Sequence, residues 1–209
     1  MPERQRSDPQ IVVGMIWECG PRGPDQQVCE HIVQSLAPRV RISPATLDNK
    51  PNLIADCGRV AKALLDDGCR KVVIVWDLIS WKVPGRPICL GRDRDEIFRS
   101  LRDADVPLNA VHLVCIIREL EAWLLADGRA LSSVLSTLAH RTQIADVRRP
   151  WREPNPKKRL NRIFQQHSGC SYVDRIHALA IFQAMPDFQK VRRCDTFRRF
   201  VEKATGTTV

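Results

Sequence analysis

The sequence predicts an α/β fold: a central, mostly parallel sheet covered by helices, with a basic helical C-terminal extension. Three observations carry this. Nearly continuous apolar runs at residues 11–18, 71–77 and 111–117 are separated by segments with apolar residues at helical spacing, the alternation that builds parallel sheets. The runs do not alternate apolar with polar, as expected of strands buried on both faces. The charge is also divided unevenly. Residues 1–139 carry 18 Lys/Arg and 18 Asp/Glu and residues 140–209 carry 15 and 6, so the formal net charge of +9 lies entirely in the last third.

Taken in order, "IVVGMIWE" (11–18) is a strand that runs into the Gly/Pro turn "CGPRGPD". "QQVCEHIVQSLA" places Val28, Ile32, Val33 and Leu36 on one helical face, and Pro38 ends the helix. "RVRIS" is a short strand. Residues 52–67 form an amphipathic helix that stops at Gly68, a common C-cap. "KVVIVWD" (71–77) is a buried strand ending in a bare carboxylate. The loop "SWKVPGRPICLG" follows, then a helix over 92–104, the strand "VHLVCII" (111–117) and the helical stretch "ELEAWLLADGRAL". Past Ala139 the segment "RTQIADVRRPWREPNPKKRL" is basic and proline-rich, a loop or clamp. "KKRLNRIFQQH", "VDRIHALAIFQAM" and "DTFRRFVEKA" then form three helices. The organisation expected is an α/β core over residues 1–130 with a basic helical extension, 131–209, packed on it as one unit.

Composition excludes several classes. Hydrophobic residues make up 44% and charged residues 27%, ordinary globular values, which argues against disorder. No apolar run approaches the roughly 18–20 residues of a membrane span. The opening "MPERQRSDPQ" lacks the apolar core of a signal peptide, so a cytoplasmic protein is expected. The eight cysteines form no CxxC and no zinc-type Cys/His spacing, so free thiols are expected, with Cys19 and Cys89 closest to the residues of interest. Clustered Lys/Arg at the C-terminal end suits a polyanion, because bound phosphates release counterions. A solvated surface or a docking face for an acidic protein gives the same composition.

The chemistry is concentrated where strands end. Ligands of open parallel sheets bind outside the carboxyl ends of the strands. Here the first strand delivers Glu18, a later one Asp77, and the third Glu119 with Glu121 close behind. Carboxylates converging on one edge repel unless a positive charge sits among them, and a hard divalent cation is the natural partner. Each acid also has an ordinary explanation. Asp77 is a turn former, Glu18 is an exposed turn residue, and Glu119 and Glu121 are acids favoured at a helix start. Two residues apart, Glu119 and Glu121 do not share a helical face; Glu121 is the better inward candidate.

"IWECGPRGPDQQVCEHIV" resembles the first signature of the TOPRIM superfamily: strand, glutamate, nearby glycine, helix. "VVIVWD" resembles the second, an aspartate after a later parallel strand. "HLVCIIRELEAWLLAD" with "PNPKKRL" downstream is similar to a bacterial uncharacterised family of that superfamily, related to the RloB-type and OLD-type nucleases. The resemblance implies a Rossmann-like TOPRIM core and phosphodiester chemistry dependent on magnesium or manganese. The family's first glutamate falls on Glu18 and the first aspartate of its Asp-x-Asp on Asp77; with the acids at the third strand end, the candidate metal-site residues are Glu18, Asp77, Glu119 and Glu121, and the candidate catalytic residues Glu18, Asp77, Glu121 and Lys157. The second aspartate of the family's Asp-x-Asp falls on Ile79, which leaves Glu121, or a loop residue such as Asp93 or Glu96, to complete the ligand set. Lys157 or Lys158 is the candidate cation for the non-bridging oxygens, with Lys82 as runner-up. Lys157, Lys158, Arg159 and Arg162 are the candidate nucleic-acid contacts. Trp81 and Trp151 either stack on bases or pack against loops, and His112 belongs to the core.

The function expected is a metal-dependent nuclease acting on DNA or structured RNA. The resemblance implies a phage-defence setting with an AAA- or ABC-type ATPase partner; the lack of a long apolar run leads to no membrane association being expected, and a homo-oligomer is allowed. The alternative is a catalytically degenerate TOPRIM module that binds nucleic acid or docks on an ATPase. A nucleotide-handling enzyme ranks third.

Overall fold

Four strands lie parallel in the order β2-β1-β3-β4: β1 (Ile11–Trp17), β2 (Val40–Thr46), β3 (Lys71–Asp77) and β4 (Val111–Ile116). The computed structural model describes residues 11–78, 89–137 and 140–208. Helices α1 (Pro24–Leu36), α2 (Lys50–Asp66) and α3 (Leu90–Asp103) belong to the strand-helix alternation. Beyond β4 come α4 (Glu121–Leu124), α5 (Gly128–Leu135), α6 (Pro156–Ser168), α7 (Asp174–Gln183) and α8 (Asp195–Thr205). The architecture is the α/β fold with a parallel central sheet that the sequence predicts, and it is Rossmann-like. No helix among the described residues is long and apolar enough to cross a membrane.

The strands read as continuous apolar runs because both faces are covered. Along β3, residues 72–76 are all buried. Val73 and Val75 enter a core shared with α1 and the C-terminal helices, whereas Val72, Ile74 and Trp76 enter a core shared with α2 and α3. Two glycines bring the second layer close. A Cβ on Gly14 would lie 3.0 Å from Leu64 of α2, and one on Gly58 would lie 2.0 Å from the Ser100 carbonyl oxygen of α3. β2 extends past the short strand predicted and includes Pro44, tolerated because this strand lies on the sheet edge.

The C-terminal helices build the main core. Phe164, Phe182, Phe197 and Phe200 are buried with Met15 and Trp17 of β1, and the Trp123 indole donates to Thr196 Oγ1 (3.0 Å). The stretch expected as one helix after β4 is broken. Asp127 leaves helical geometry and caps α5, its Oδ1 accepting the amides of Arg129 (2.9 Å) and Ala130. The basic, proline-rich segment straps back over this break: Gly128 N donates to Asp146 Oδ1 (2.9 Å) and Ile144 N to Ser132 Oγ (2.8 Å).

Lys190 holds the strap, with Nζ 3.0 Å from Asp127 Oδ1 and 2.7 Å from Asp146 Oδ1. Asp127 is 1% exposed, so removing the ammonium strands a buried carboxylate. Lys190→Met is expected to lower the unfolding free energy by roughly 2–3 kcal/mol, the lower end for breaking a buried pair because the lysine is partly exposed. Arg129→Met, at an exposed contact to the same Asp127, should cost under about 0.5 kcal/mol. Urea unfolding of both variants checks the contrast.

Candidate active site

The chain leaves the carboxyl end of β1 toward β2 on one side and that of its neighbour β3 toward β4 on the other, so a crevice opens between the ends of β1 and β3. Glu18, the first residue after β1, and Asp77, the last of β3, stand at this switch point. The Asp77 amide donates to Glu18 Oε1 (3.2 Å), which ties the two strand ends together. The crevice widens into a cleft of about 1300 Å³ lined by seven acids (Glu18, Asp25, Asp48, Asp77, Glu119, Glu121, Asp174) and three bases (Lys50, Lys157, Arg175).

Crowding of like charges in a partly dry site sets the protonation. Burial pushes the Asp77 carboxyl well above the usual carboxylate range, and the charges of Asp25, Glu18, Glu121 and Glu119 push it further. Its Oδ1 is buried and makes no hydrogen bond among the described residues. Burial raises Glu121, which is 5% exposed, to about 7, against the opposing pull of Lys157. Asp25, at the start of α1, is raised to about 6 by burial, with Asp174 adding to the rise.

Lys157 is the base of this cleft that meets Asp174 and Glu121. Its Nζ lies 2.6 Å from Asp174 Oδ2 and 3.9 Å from Glu121 Oε1. These two acids outweigh burial and raise its pKa, so the ammonium is retained. The Lys157 amide, at the N-terminus of α6, donates to Glu119 Oε2 (3.3 Å). One oxygen each of Glu18 and Glu119 is thus committed to a backbone amide. Among the described residues, no three His, Cys, Asp or Glu side chains form a group that could enclose a metal ion. The donors are nonetheless the hard oxygens magnesium requires, and Asp77 Oδ1, without a partner among the described residues, is an oxygen that a cation would satisfy.

The structure therefore brings Glu18, Asp77, Glu119, Glu121 and Lys157 to one cleft. It separates Lys158, Arg159 and Arg162, which line a different groove of about 620 Å³ with Ile144, Val147 and Gln166. There Arg159 pairs with Glu153 (2.7 Å). Asp93, expected in a loop as a substitute ligand, is instead in the first turn of α3 and pairs with Lys50 (3.1 Å); Glu96 also lies on α3. Lys50 Nζ also donates to the Leu78 carbonyl (3.0 Å), so the pair braces the end of β3. Ile79, Trp81 and Lys82 lie outside the described residues. Trp151 is half-buried against the main core. His112 is half-buried on β4, and burial lowers its imidazole pKa.

The Cys19 thiol lines the cleft, but burial pushes it up to about 12, so it is no nucleophile. Cys89 is exposed at the N-cap of α3. The sequence alone did not point to Asp25, Lys50 or Asp174. Asp25 had a signal, since an acid following Gly-Pro opens a helix whose N-terminus faces the strand end. The others reach the cleft only through tertiary packing.

Residues 90–203, more than half of the chain, match the model of a family described as "Domain of unknown function (DUF4276)", and the chain belongs to that family. No curated protein and no solved structure matches the chain.

The raised Glu121 carboxyl predicts a pH effect on stability. The native group keeps its proton up to about 7, whereas an unfolded one loses it near its ordinary value of 4.5. Between these values the unfolded state binds fewer protons, so this contribution lowers stability as pH rises through the window. Glu121→Gln should match the parent below the window and be more stable above it, by at most about 3 kcal/mol. Urea unfolding at a series of pH values checks the sign.

Proposed function

We propose that the cleft of this DUF4276 chain cleaves phosphodiester bonds of DNA or structured RNA with the help of a divalent metal ion, magnesium or manganese. The observation that carries the reading is Asp77. It is a buried acid at the switch point of a parallel sheet, pressed further by four neighbouring acids, and its Oδ1 has no hydrogen-bond partner among the described residues. Seven acids against three bases line the cleft, and an added divalent cation would offset their excess negative charge toward a phosphate backbone.

Asp77, Glu18 and Glu121 would hold the ion, with Glu119 beside them. When bound, a divalent cation supplies Lewis-acid charge next to the phosphoryl group and makes water more acidic. The chain's own residues do the rest. Asp174 fixes the Lys157 ammonium, which meets a non-bridging oxygen as charge builds on it. Glu18 either completes the ion's shell or accepts the proton of the attacking water. The amide link between Asp77 and Glu18 keeps the two carboxylates in register. Lys158, Arg159 and Arg162 contact the backbone of the nucleic acid beyond α6.

A second reading is the binding module without hydrolysis, favoured by the lack of a three-acid metal group among the described residues. One assay separates the two. Plasmid and total tRNA are incubated with the protein in magnesium or manganese, alone and with a candidate AAA- or ABC-type ATPase. The nuclease reading expects metal-dependent cutting that Asp77→Ala and Glu121→Ala abolish and that Lys157→Met lowers about 10²–10³-fold. Cutting absent in every arm, or equal in parent and variants, favours the binding module. In a separate binding titration, changing Lys158, Arg159 and Arg162 to Gln should flatten the salt dependence of log Kd by about 0.7–0.9 for each phosphate no longer neutralised.

A further inference from the structure

Asn155 lines both the acid cleft and the groove of about 620 Å³, so the two hollows adjoin at the N-terminus of α6. Lys157 belongs to the first and Lys158 to the second. Along α6, Lys158 and Arg162 are four residues apart, as are Arg159 and Ile163, so they share the helical face that lines the groove. The strap supplies the opposite wall. Ile144 and Val147 are half-buried against the main core. Their amides donate to Ser132 Oγ (2.8 Å) and to the Leu125 carbonyl (3.3 Å), which anchors this wall before anything binds. Arg159 is paired with Glu153, whereas Lys158 and Arg162 are exposed and have no ion pair or hydrogen bond among the described residues.

Three bases against one acid select an anion, and the apolar residues between strap and helix select an anion that also carries apolar faces. A duplex meets only the first condition, because it turns its phosphates outward and stacks its base faces inside. A single strand meets both, since its phosphates and its unstacked bases are exposed together. We propose that the groove binds a single-stranded segment of DNA or RNA. Its phosphates lie on Lys158, Arg159 and Arg162, its bases cover Ile144, Val147 and Ile163, and the strand runs past Asn155 toward the cleft. The rise of α6 separates Lys158 from Arg162 by about 6 Å along the axis, the scale of one nucleotide step in an extended strand. The onward path of the strand rests on the nuclease reading and deepens it, naming single-stranded segments such as the loops and ends of a structured RNA as the form taken. Binding in the groove itself needs no ion.

Fluorescence anisotropy of the full chain in EDTA, which keeps binding apart from cutting, tests this. The probes are labelled oligothymidylate and oligouridylate of about 15 nucleotides, and the duplex of the first with oligodeoxyadenylate. The single strands are expected to bind about tenfold tighter than the duplex. Ile144→Thr combined with Val147→Thr keeps the shape of this wall while making it polar; it should weaken single-strand binding roughly fivefold and leave the duplex unchanged. A 4-thiothymidine placed in the strand gives a second readout that needs no variant, with photocrosslinks expected at residues 144–147 or at Ile163. Equal binding of duplex and single strand, or crosslinks that fall outside the groove, overturns the single-strand role and leaves the metal reading of the cleft standing. Displacement of the strand by polyglutamate at equal charge concentration also overturns it and assigns the groove to an acidic protein. Single-strand binding by a chain that never cuts keeps the groove and overturns the hydrolysis.

Discussion

The repulsion among carboxylates gathered at the carboxyl edge of a parallel sheet is the constraint on which the rest of the structure depends. Strand ends β1 and β3 lie side by side, so Glu18 and Asp77 are forced together by backbone register and cannot move apart without breaking the sheet. Glu121 joins them from the turn after β4. Burial is the larger reason that Asp77 and Glu121 both hold their protons above the usual range, and each further acid in the cleft adds to it. The fold tolerates this destabilising group because its apolar cores on both faces of the sheet fix the strands in place.

The C-terminal helices serve two purposes at once. Their aromatic residues complete the core beneath the sheet, and their N-termini deliver polar groups to the cleft. α6 brings Lys157 in, its first turn capped by Glu119, and α7 brings Asp174. The basic charge of this region is therefore not uniform in role. Lys157 is internal to the acid cleft, whereas Lys158, Arg159 and Arg162 face a separate groove a single helix away. Adjacent residues of one short motif are divided by helical geometry into a site cation and a surface.

Much of this was legible in the residues. β3 reads from Lys71 to Asp77 without error because a strand buried on both faces leaves an uninterrupted apolar run. The convergence of residues 18, 77, 119 and 121 on one edge follows from parallel topology alone. Other features were hidden for physical reasons. The helix after β4 breaks because the Asp127 side chain competes for backbone amides, a capping signal masked by the strong helix formers around it. Asp93 looked like loop chemistry but starts a helix and pairs with Lys50. Asp174 lies far along the chain from the strands, and nothing local says which way the turn between α6 and α7 points.

The account stands on a shared cation among these acids, and one measurement reaches it most directly. Crystals of the full chain grown with manganese, recorded at a wavelength where manganese scatters anomalously, should give a peak in the cleft in contact with Asp77 and Glu121. A map with no anomalous density among Glu18, Asp77 and Glu121, at manganese concentrations that saturate ordinary carboxylate sites, would contradict it.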